Sequence, residues 1–589
     1  MAVEKLITDH IDVWSSALQT RSTAGRGSNG KIDLYGIKKL RELILELAVR
    51  GKLVPQDPND EPASELLKRI AAEKAELVKQ GKIKKQKPLP EISEDEKPFE
   101  LPVGWEWVRL GDMMGSIDAG WSPACSSEPS TNDNIWGVLK TTAIQKLEFR
   151  HFENKALPDN KLPKPQYEVV CGDILITRAG PKNRVGVSCL VEETRPKLMI
   201  SDKIIRFHLI SDCVLNKYVV LSLNCGPTFS YLEKAKSGMA ESQMNISQEN
   251  LKYAPVAIPP QRIQFEIVHK VEKLMWLCDQ LEQKSLTSLE AHQQLVETLL
   301  TTLIDSQNAE ELAENWARIS QHFETLFTTE ASIDALKQTI LQLAVKGKLV
   351  PQDPNDEPAS ELLKRIEQEK AQLVKEGKIK KHPPVEPLGE SALLPRSWLN
   401  IVVQDFADIR LGSTPDRTEK KYWNGDIPWV SSGEVANEVI LDTKEKITSE
   451  GFNNSSTSMI PAGSVLMAII GQGKTRGQTA ILGIDACTNQ NVAAFVFNQV
   501  FVEPEYIWIW AKSKYLSHRG DGHGGAQPAL NGKKVRSFIF PLAPIKEQQR
   551  IVSEVKRFND ICDTLKSRLQ SAQQTQLHLA DALTDAALN

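Results

Sequence analysis

Two long stretches of the chain carry apolar side chains on steps of three and four, the spacing that lines up one stripe of a helix. The first runs through Ile263, Ile267, Val271, Leu274, Cys278, Leu281, Leu295, Leu299 and Leu303. The second runs through Ile551, Val555, Phe558, Cys562, Leu565, Leu569, Ala572, Leu579 and Leu583. So narrow a stripe favours a seam against another helix and predicts a pair of long coiled-coil helices; ordinary core helices are the plainer alternative. Ahead of each stripe lies a segment with a different rhythm, short apolar runs bounded by turn residues, which predicts strands. Residues 169–177 and 459–468 each read as a turn feeding a buried strand, and residues 254–260 and 538–544 as a short apolar strand ending in prolines.

The same order of elements occurs twice. Residues 51–70, beginning Gly-Lys-Leu-Val-Pro-Gln-Asp-Pro-Asn-Asp-Glu-Pro, recur without change at 347–366. Similarity extends to 44–49 against 340–345, to 81–85 against 377–381, and to 264–271 against 548–555. The chain reads as a tandem duplication, roughly 1–305 followed by 306–589, with a period far beyond the roughly 20–50 residues of solenoid repeats. Within the block, Asp57 to Pro62 reads as a turn and helix entry and Gly81 as the helix stop. The basic, proline-rich stretches 84–90 and 380–384 cannot remain helical. These features divide the chain into an N-terminal helical region with its linker (1–104), a first variable domain (105–260) and a central region of long helix, repeated block and linker (261–395). A second variable domain (396–543) and a C-terminal long helix (544–589) complete it. A constant scaffold carrying two dissimilar domains is the layout of a device that reads two different things at a set separation.

With 589 residues, 41% hydrophobic and 25% charged, the chain can fill several domain cores. The net charge of -4 argues mildly against strong stand-alone binding to nucleic acid, leaving room for a local basic stripe and for positive charge supplied by a partner. No apolar run approaches the roughly 18 residues that cross a bilayer, and the start lacks the basic and apolar regions of a signal peptide, so a cytoplasmic protein is expected. The eight cysteines include no Cys-x-x-Cys pair, which predicts free thiols and no metal site.

The doubled block, the two variable domains and the Gln/Arg-Ile-Val start of the long helices together resemble the HsdS specificity subunits of type I restriction–modification enzymes, of the IB subclass in particular. The likeness spans nearly the whole chain. It implies a mixed α/β fold: two globular α/β target-recognition domains separated by two long antiparallel coiled-coil helices, in a tandem pseudo-twofold duplication. It also implies that each domain reads one half of an asymmetric, bipartite site in double-stranded DNA, and that the subunit itself catalyses nothing. Partners would be the methyltransferase subunit HsdM, in two copies, and the restriction subunit HsdR. S-adenosylmethionine, ATP and Mg would belong to those partners, with no cofactor in this chain and no membrane involvement. The pseudo-twofold suits the local twofold of a duplex, whose groove faces repeat about every 34 Å; helix length would then fix the spacer and the variable domains the bases.

Several loops carry chemistry suited to DNA. Arg178, Lys182 and Arg184 in the first variable domain, and Lys474 and Arg476 in the second, lie in glycine-containing loops. Arginine reads guanine edges bidentately and either cation holds phosphate; a solvated hairpin tip is the bland alternative. Gln243 and Gln527 sit beside glycines that allow close backbone approach, and glutamine pairs with adenine. Residues 120–123 and 412–415 form a third, weaker pair. Ile263, Ile267, Leu274, Leu281, Ile551, Val555, Phe558 and Leu565 are the expected scaffold and partner-helix positions. Residues 468–475 fit a loose phosphate-loop pattern, but Arg476-Gly477-Gln478-Thr479 is a poor helix start, so a chance match is the reading. No methyltransferase tetrad and no nuclease or hydrolase constellation is found. The competing function is a coiled-coil assembly scaffold that does not bind DNA and whose variable domains bind protein.

Overall fold

The computed structural model describes residues 3–588 apart from 22–30, 126, 131, 390–392, 437, 472–474 and 516–529. The chain forms two compact units. One holds Met1–Gln19, Ile32–Leu286 and Gln573–Asn589, the other Thr20–Lys31 and Thr287–Ala572. The first long helix, Gln261–Asp305, begins in the first unit and ends in the second; the second long helix, Ile545–Leu588, does the reverse. The compact units therefore differ from the two halves of the duplicated sequence. At 45 residues the first helix is about 67 Å long, roughly twice the width of a small domain, so its ends enter different cores.

Burial follows the apolar stripe at the helix ends and departs from it between them. In the first unit Ile263, Ile267, Val271, Leu274 and Cys278 are buried and Leu281 is half-buried. In the second unit the same helix buries Val296, Leu300 and Leu303, whereas Leu295 is 51% exposed. The buried face arrives one residue later than the heptad count expects, because a straight helix drifts about 20° per heptad. In the second helix Ile551, Val555 and Cys562 are buried, Phe558 and Leu565 half-buried, and Ala580 rather than Leu579 is covered.

Each unit packs the helix before its repeated block against these long helices. In the first unit, on Tyr35–Val49, Tyr35 donates to Asp581 at 2.7 Å and Arg41 pairs with Asp279 and Glu282. In the second, on Glu330–Val345, Lys337 pairs with Asp563 and Asp334 with Lys566. Trp316 there meets Phe558 edge-on at 5.7 Å.

The two variable domains share a topology that their sequences hide. In the first, an antiparallel sheet orders Met114–Ala119, Ile204–Leu209, Ile174–Thr177 and Ser188–Leu190. In the second, Asp408–Leu411, Val492–Val496, Val465–Ala468 and Thr479–Leu482 come in the same order. The strands expected within 169–177 and 459–468 are thus structural equivalents. A smaller sheet joins a parallel and an antiparallel pair in each domain: Leu198–Met199, Gly137–Leu139 and Asn154–Ala156 in the first, Cys487–Thr488, Trp423–Val430 and Glu445–Ile447 in the second. The first and last strands of each domain pair with each other, Glu106–Arg109 with Pro255–Ile258 and Leu399–Val402 with Ile539–Leu542. Entry and exit of each domain therefore lie side by side.

That closure is where the repeated block acts. Ala63 N–H donates to the Gly104 carbonyl at 2.8 Å and Ala359 N–H to Ser397 at 2.9 Å. The Trp105 indole donates to Gln56, while in the second unit Trp398 and Gln352 both donate to Glu547. Arg262, in the first turn of the long helix, pairs with Asp57 and Asp60, and Arg550 pairs with Asp356. Gly51 and Gly347 hold φ near +69° and +67° against Pro102 and Pro395, where a Cβ would come within 2.5 Å of a ring carbon. Each block is a socket for the start of one variable domain and of one long helix, and both copies must keep the same shape.

Arg109 closes the first domain beneath this socket. It is buried and donates to both oxygens of Glu96 at 2.6 and 2.7 Å, and to the carbonyls of Pro90, Glu91 and Tyr253. The guanidinium hydrogen bonds, with help from the Ser93 backbone, hold the Glu96 carboxyl at about 2 against partial burial. A carboxyl depressed on folding stabilises above its unfolded value near 4.3, and the gain is lost as pH falls from there toward 2. Glu96→Gln leaves a buried cation without its counter-ion and is expected to cost about 2–3 kcal/mol at pH 7. In thermal melts, the gap between wild type and variant should close as pH falls below about 4.

Candidate nucleic-acid interface

The cationic loop of the first domain and the glycine-glutamine hairpin form one small sheet. Ala179–Gly180 pairs with Gln243–Asn245, which pairs with Ser237–Ala240. All four residues of the outer strand are exposed, Met239 fully, and so is Gln243. A short ribbon bare on its outer edge is a shape that a DNA major groove admits.

The three cations of that loop have different surroundings. Arg178 is exposed, and its guanidinium makes no hydrogen bond or ion pair among the described residues. Its backbone is fixed, the N–H donating to the Lys203 carbonyl at 2.7 Å and the C=O accepting from Ile246 at 2.9 Å. Lys203 is likewise exposed, so two cations emerge together. Lys182 pairs with Glu241 at 2.8 Å, which raises the ammonium and lowers the carboxyl from their ordinary values. Arg184 turns inward, donating to Gln145 and to the carbonyls of Thr141 and Ile144 at 2.7 to 3.0 Å. Those bonds make Arg184 a brace for the loop at 141–145.

In the second domain Lys474 and Gln527 lie outside the described residues. Arg476 is half-buried in the turn entering the strand Thr479–Leu482. The two hairpins are equivalent: Gly186 N–H donates to Thr177 and Gly477 N–H to Ala468, both at 2.8 Å, with both glycines at positive φ. The phosphate-loop look-alike therefore leads from strand to strand, without the helix N-terminus such a loop needs. Among the described residues there is no group of three or more metal-ligating side chains and no helix long and apolar enough to cross a membrane.

Residues 102–291 and 395–574 each match the family described as "Type I restriction modification DNA specificity domain". The chain is 47% identical to the type I restriction enzyme EcoAI specificity subunit and 48% identical to the EcoEI specificity subunit, both from Escherichia coli. Each of those alignments covers all of both chains. A crystal structure of the HsdS subunit from Thermoanaerobacter tengcongensis is 15% identical, covering 84% of this chain and 98% of its own, with a TM-score of 0.40. The chain belongs to the type I restriction–modification specificity subunits.

In this specificity subunit the third loop pair, 120–123 and 412–415, is built more firmly than its sequence indicates. Gly120 lies so close to the Ile200 carbonyl that a Cβ would come within 1.9 Å, and Gly412 stands at 1.8 Å from Thr488 in the same way. The next residue donates back to that carbonyl, Trp121 to Ile200 at 3.1 Å and Ser413 to Thr488 at 3.0 Å. Cations stack beside both loops, Lys164 over Trp121 at 4.6 Å and Arg417 over Trp423 at 4.3 Å. The next hydroxyl in each loop bonds an exposed side chain: Ser122 holds Asp202, and Thr414 holds Gln490. Sequence reasoning passed over Asp202, Lys203 and Gln490. The available signal was the Gly-x-Ser/Thr-Pro spacing shared by two otherwise dissimilar domains.

Proposed function

We propose that this specificity subunit reads an asymmetric, bipartite site in double-stranded DNA, one half with each variable domain, and delivers it to a methyltransferase subunit (HsdM, two copies) and a restriction subunit (HsdR). Those partners bring the chemistry and its requirements, S-adenosylmethionine, ATP and Mg. The observation that carries the reading is the contrast between the two variable domains. They share one topology and sit in identical sockets, yet present different polar residues at matching surface positions. A protein-binding scaffold gives no reason for that contrast to fall on cationic, glycine-bordered loops. On this reading Arg178, Lys203 and Gln243 contact DNA from the first domain, Lys182 contributes from its ion pair, and Lys474, Arg476 and Gln527 act from the second.

The subunit co-purified with its methyltransferase partner is expected to retain duplexes carrying its site in preference to scrambled duplexes, with retention falling steeply as salt rises. Equal retention of both duplexes at every salt concentration would favour the scaffold.

A further inference from the structure

We infer that Asp202 and Gln490 are equivalent base-reading residues, one in each variable domain, each aimed by the hydroxyl of its Gly-x-Ser/Thr-Pro loop. The inference rests on the DNA-reading function proposed above and names residues which that reading leaves unassigned.

The equivalence is geometric. In the first domain the strand carrying Ile200 ends, Ser201 is buried, and Asp202 emerges. In the second, Thr488 ends its strand, Asn489 is buried, and Gln490 emerges. One residue further on, Lys203 accepts from Arg178 N–H at 2.7 Å and Asn491 accepts from Ile469 N–H at 2.9 Å. The same turn thus joins the third loop to the hairpin in both domains. The sequences at this point have nothing in common, Ile-Ser-Asp-Lys against Thr-Asn-Gln-Asn, yet the backbone bonds coincide.

Each side chain is also held in place. The Ser122 hydroxyl donates to one Asp202 oxygen, and the Asp202 N–H donates back to that hydroxyl at 3.1 Å. The Thr414 hydroxyl donates to the Gln490 carbonyl oxygen. Both loops are fixed in turn by a glycine against a carbonyl, so neither can retreat without strand movement. An exposed long side chain held this way loses less freedom on binding, which favours affinity and selectivity. No packing role explains the restraint, since both side chains face solvent.

The atoms left unbonded differ between the domains and set the base each would read. The second carboxylate oxygen of Asp202 has no partner among the described residues and can only accept, which suits the exocyclic amino group of cytosine. The Gln490 amide keeps its two N–H donors and one carbonyl lone pair, the complement of adenine N7 and N6. Arg178 and Lys203 flank Asp202 and offset the repulsion between its charge and the phosphates. Gln490 is neutral and needs no such neighbours. Ser122 and Thr414 are positioning residues, since they act through the side chains they hold.

The test uses the complex with its methyltransferase subunit and motifs selected from a random duplex library by wild type, Asp202→Asn, Gln490→Ala, Thr414→Val and Thr414→Ser. Gln490→Ala should relax one adenine, by about tenfold or more in preference, in one half of the motif and leave the other half intact. Asp202→Asn should relax one cytosine in the opposite half. Thr414→Val should reproduce the Gln490→Ala pattern more weakly, and Thr414→Ser should keep the wild-type motif. Unchanged motifs for both Asp202→Asn and Gln490→Ala, in complexes that melt like wild type, would overturn the inference. Wild type selecting no motif would instead overturn the DNA-reading function, and the two failures are distinct.

Discussion

Arg206→Met is expected to unfold the first recognition domain while leaving the second folded, and so to erase one half of the recognised site. Arg206 lies on the central strand Ile204–Leu209, nearly buried, between Asp118 at 2.7 Å and Asp173 at 3.4 Å. It also donates to the carbonyls of Glu168 and Gln166 at 2.6 and 2.8 Å. The Asp173 side chain is wholly buried, and its remaining bonds are to His208 and the Val170 N–H. Removing the cation leaves a buried carboxylate and two carbonyls short of donors, a loss of about 3–5 kcal/mol, comparable to the whole stability of a modest domain. At the matching strand position the second domain has Ala494, opposite Arg410 and Leu466 as Arg206 is opposite Asp118 and Leu175. Its sheet is held there by apolar packing, so Ala494 offers no equivalent weak point. Differential scanning calorimetry should show one transition moved down and the other in place. A single unshifted transition would show that Arg206 does not hold the first sheet together.

Arg178→Ala is expected to do the opposite, weakening DNA binding with no change in melting. Its guanidinium has no partner to lose among the described residues, so folding is indifferent to it, whereas a bidentate guanine contact contributes about 1–3 kcal/mol of discrimination, or roughly 5- to 150-fold. Fluorescence anisotropy with the methyltransferase complex separates two modes of contact. If Arg178 reads a base, binding weakens most on the cognate sequence and the salt slope is preserved. If it holds a phosphate, binding weakens on every sequence and the slope falls by about 1. Arg184→Ala is the control, because it removes three internal hydrogen bonds and should lower the melting temperature first.

These two arginines also mark the limit of what the sequence discloses. Arg178 and Arg184 lie six residues apart in one loop and look equally available. Only the fold brings the Thr141 and Ile144 carbonyls, 43 and 40 residues upstream, beneath Arg184. Asp202 and Gln490 were hidden for the same reason: each gains its restraint from a hydroxyl 80 or 76 residues away. Local features were legible. The strands after Gly172 and Gly463 arise from turn chemistry and runs of β-branched and leucine residues, and the structure makes them equivalent. The duplicated block announced two mounted domains, and its sockets for Trp105 and Trp398 explain why the copies coincide. The helix stripes gave the buried positions near each helix start and missed by one residue at Val296 and Ala580. A heptad count assumes a continuous seam, and these helices pass from one core to another.

The most direct test of the account is selection from a random duplex library with this chain bound to its methyltransferase subunit. A split motif, two unlike halves at one fixed spacing, is the predicted result, and each half should respond to substitutions in one variable domain alone. Enrichment of a single undivided motif, or of none by an intact and folded complex, would contradict it.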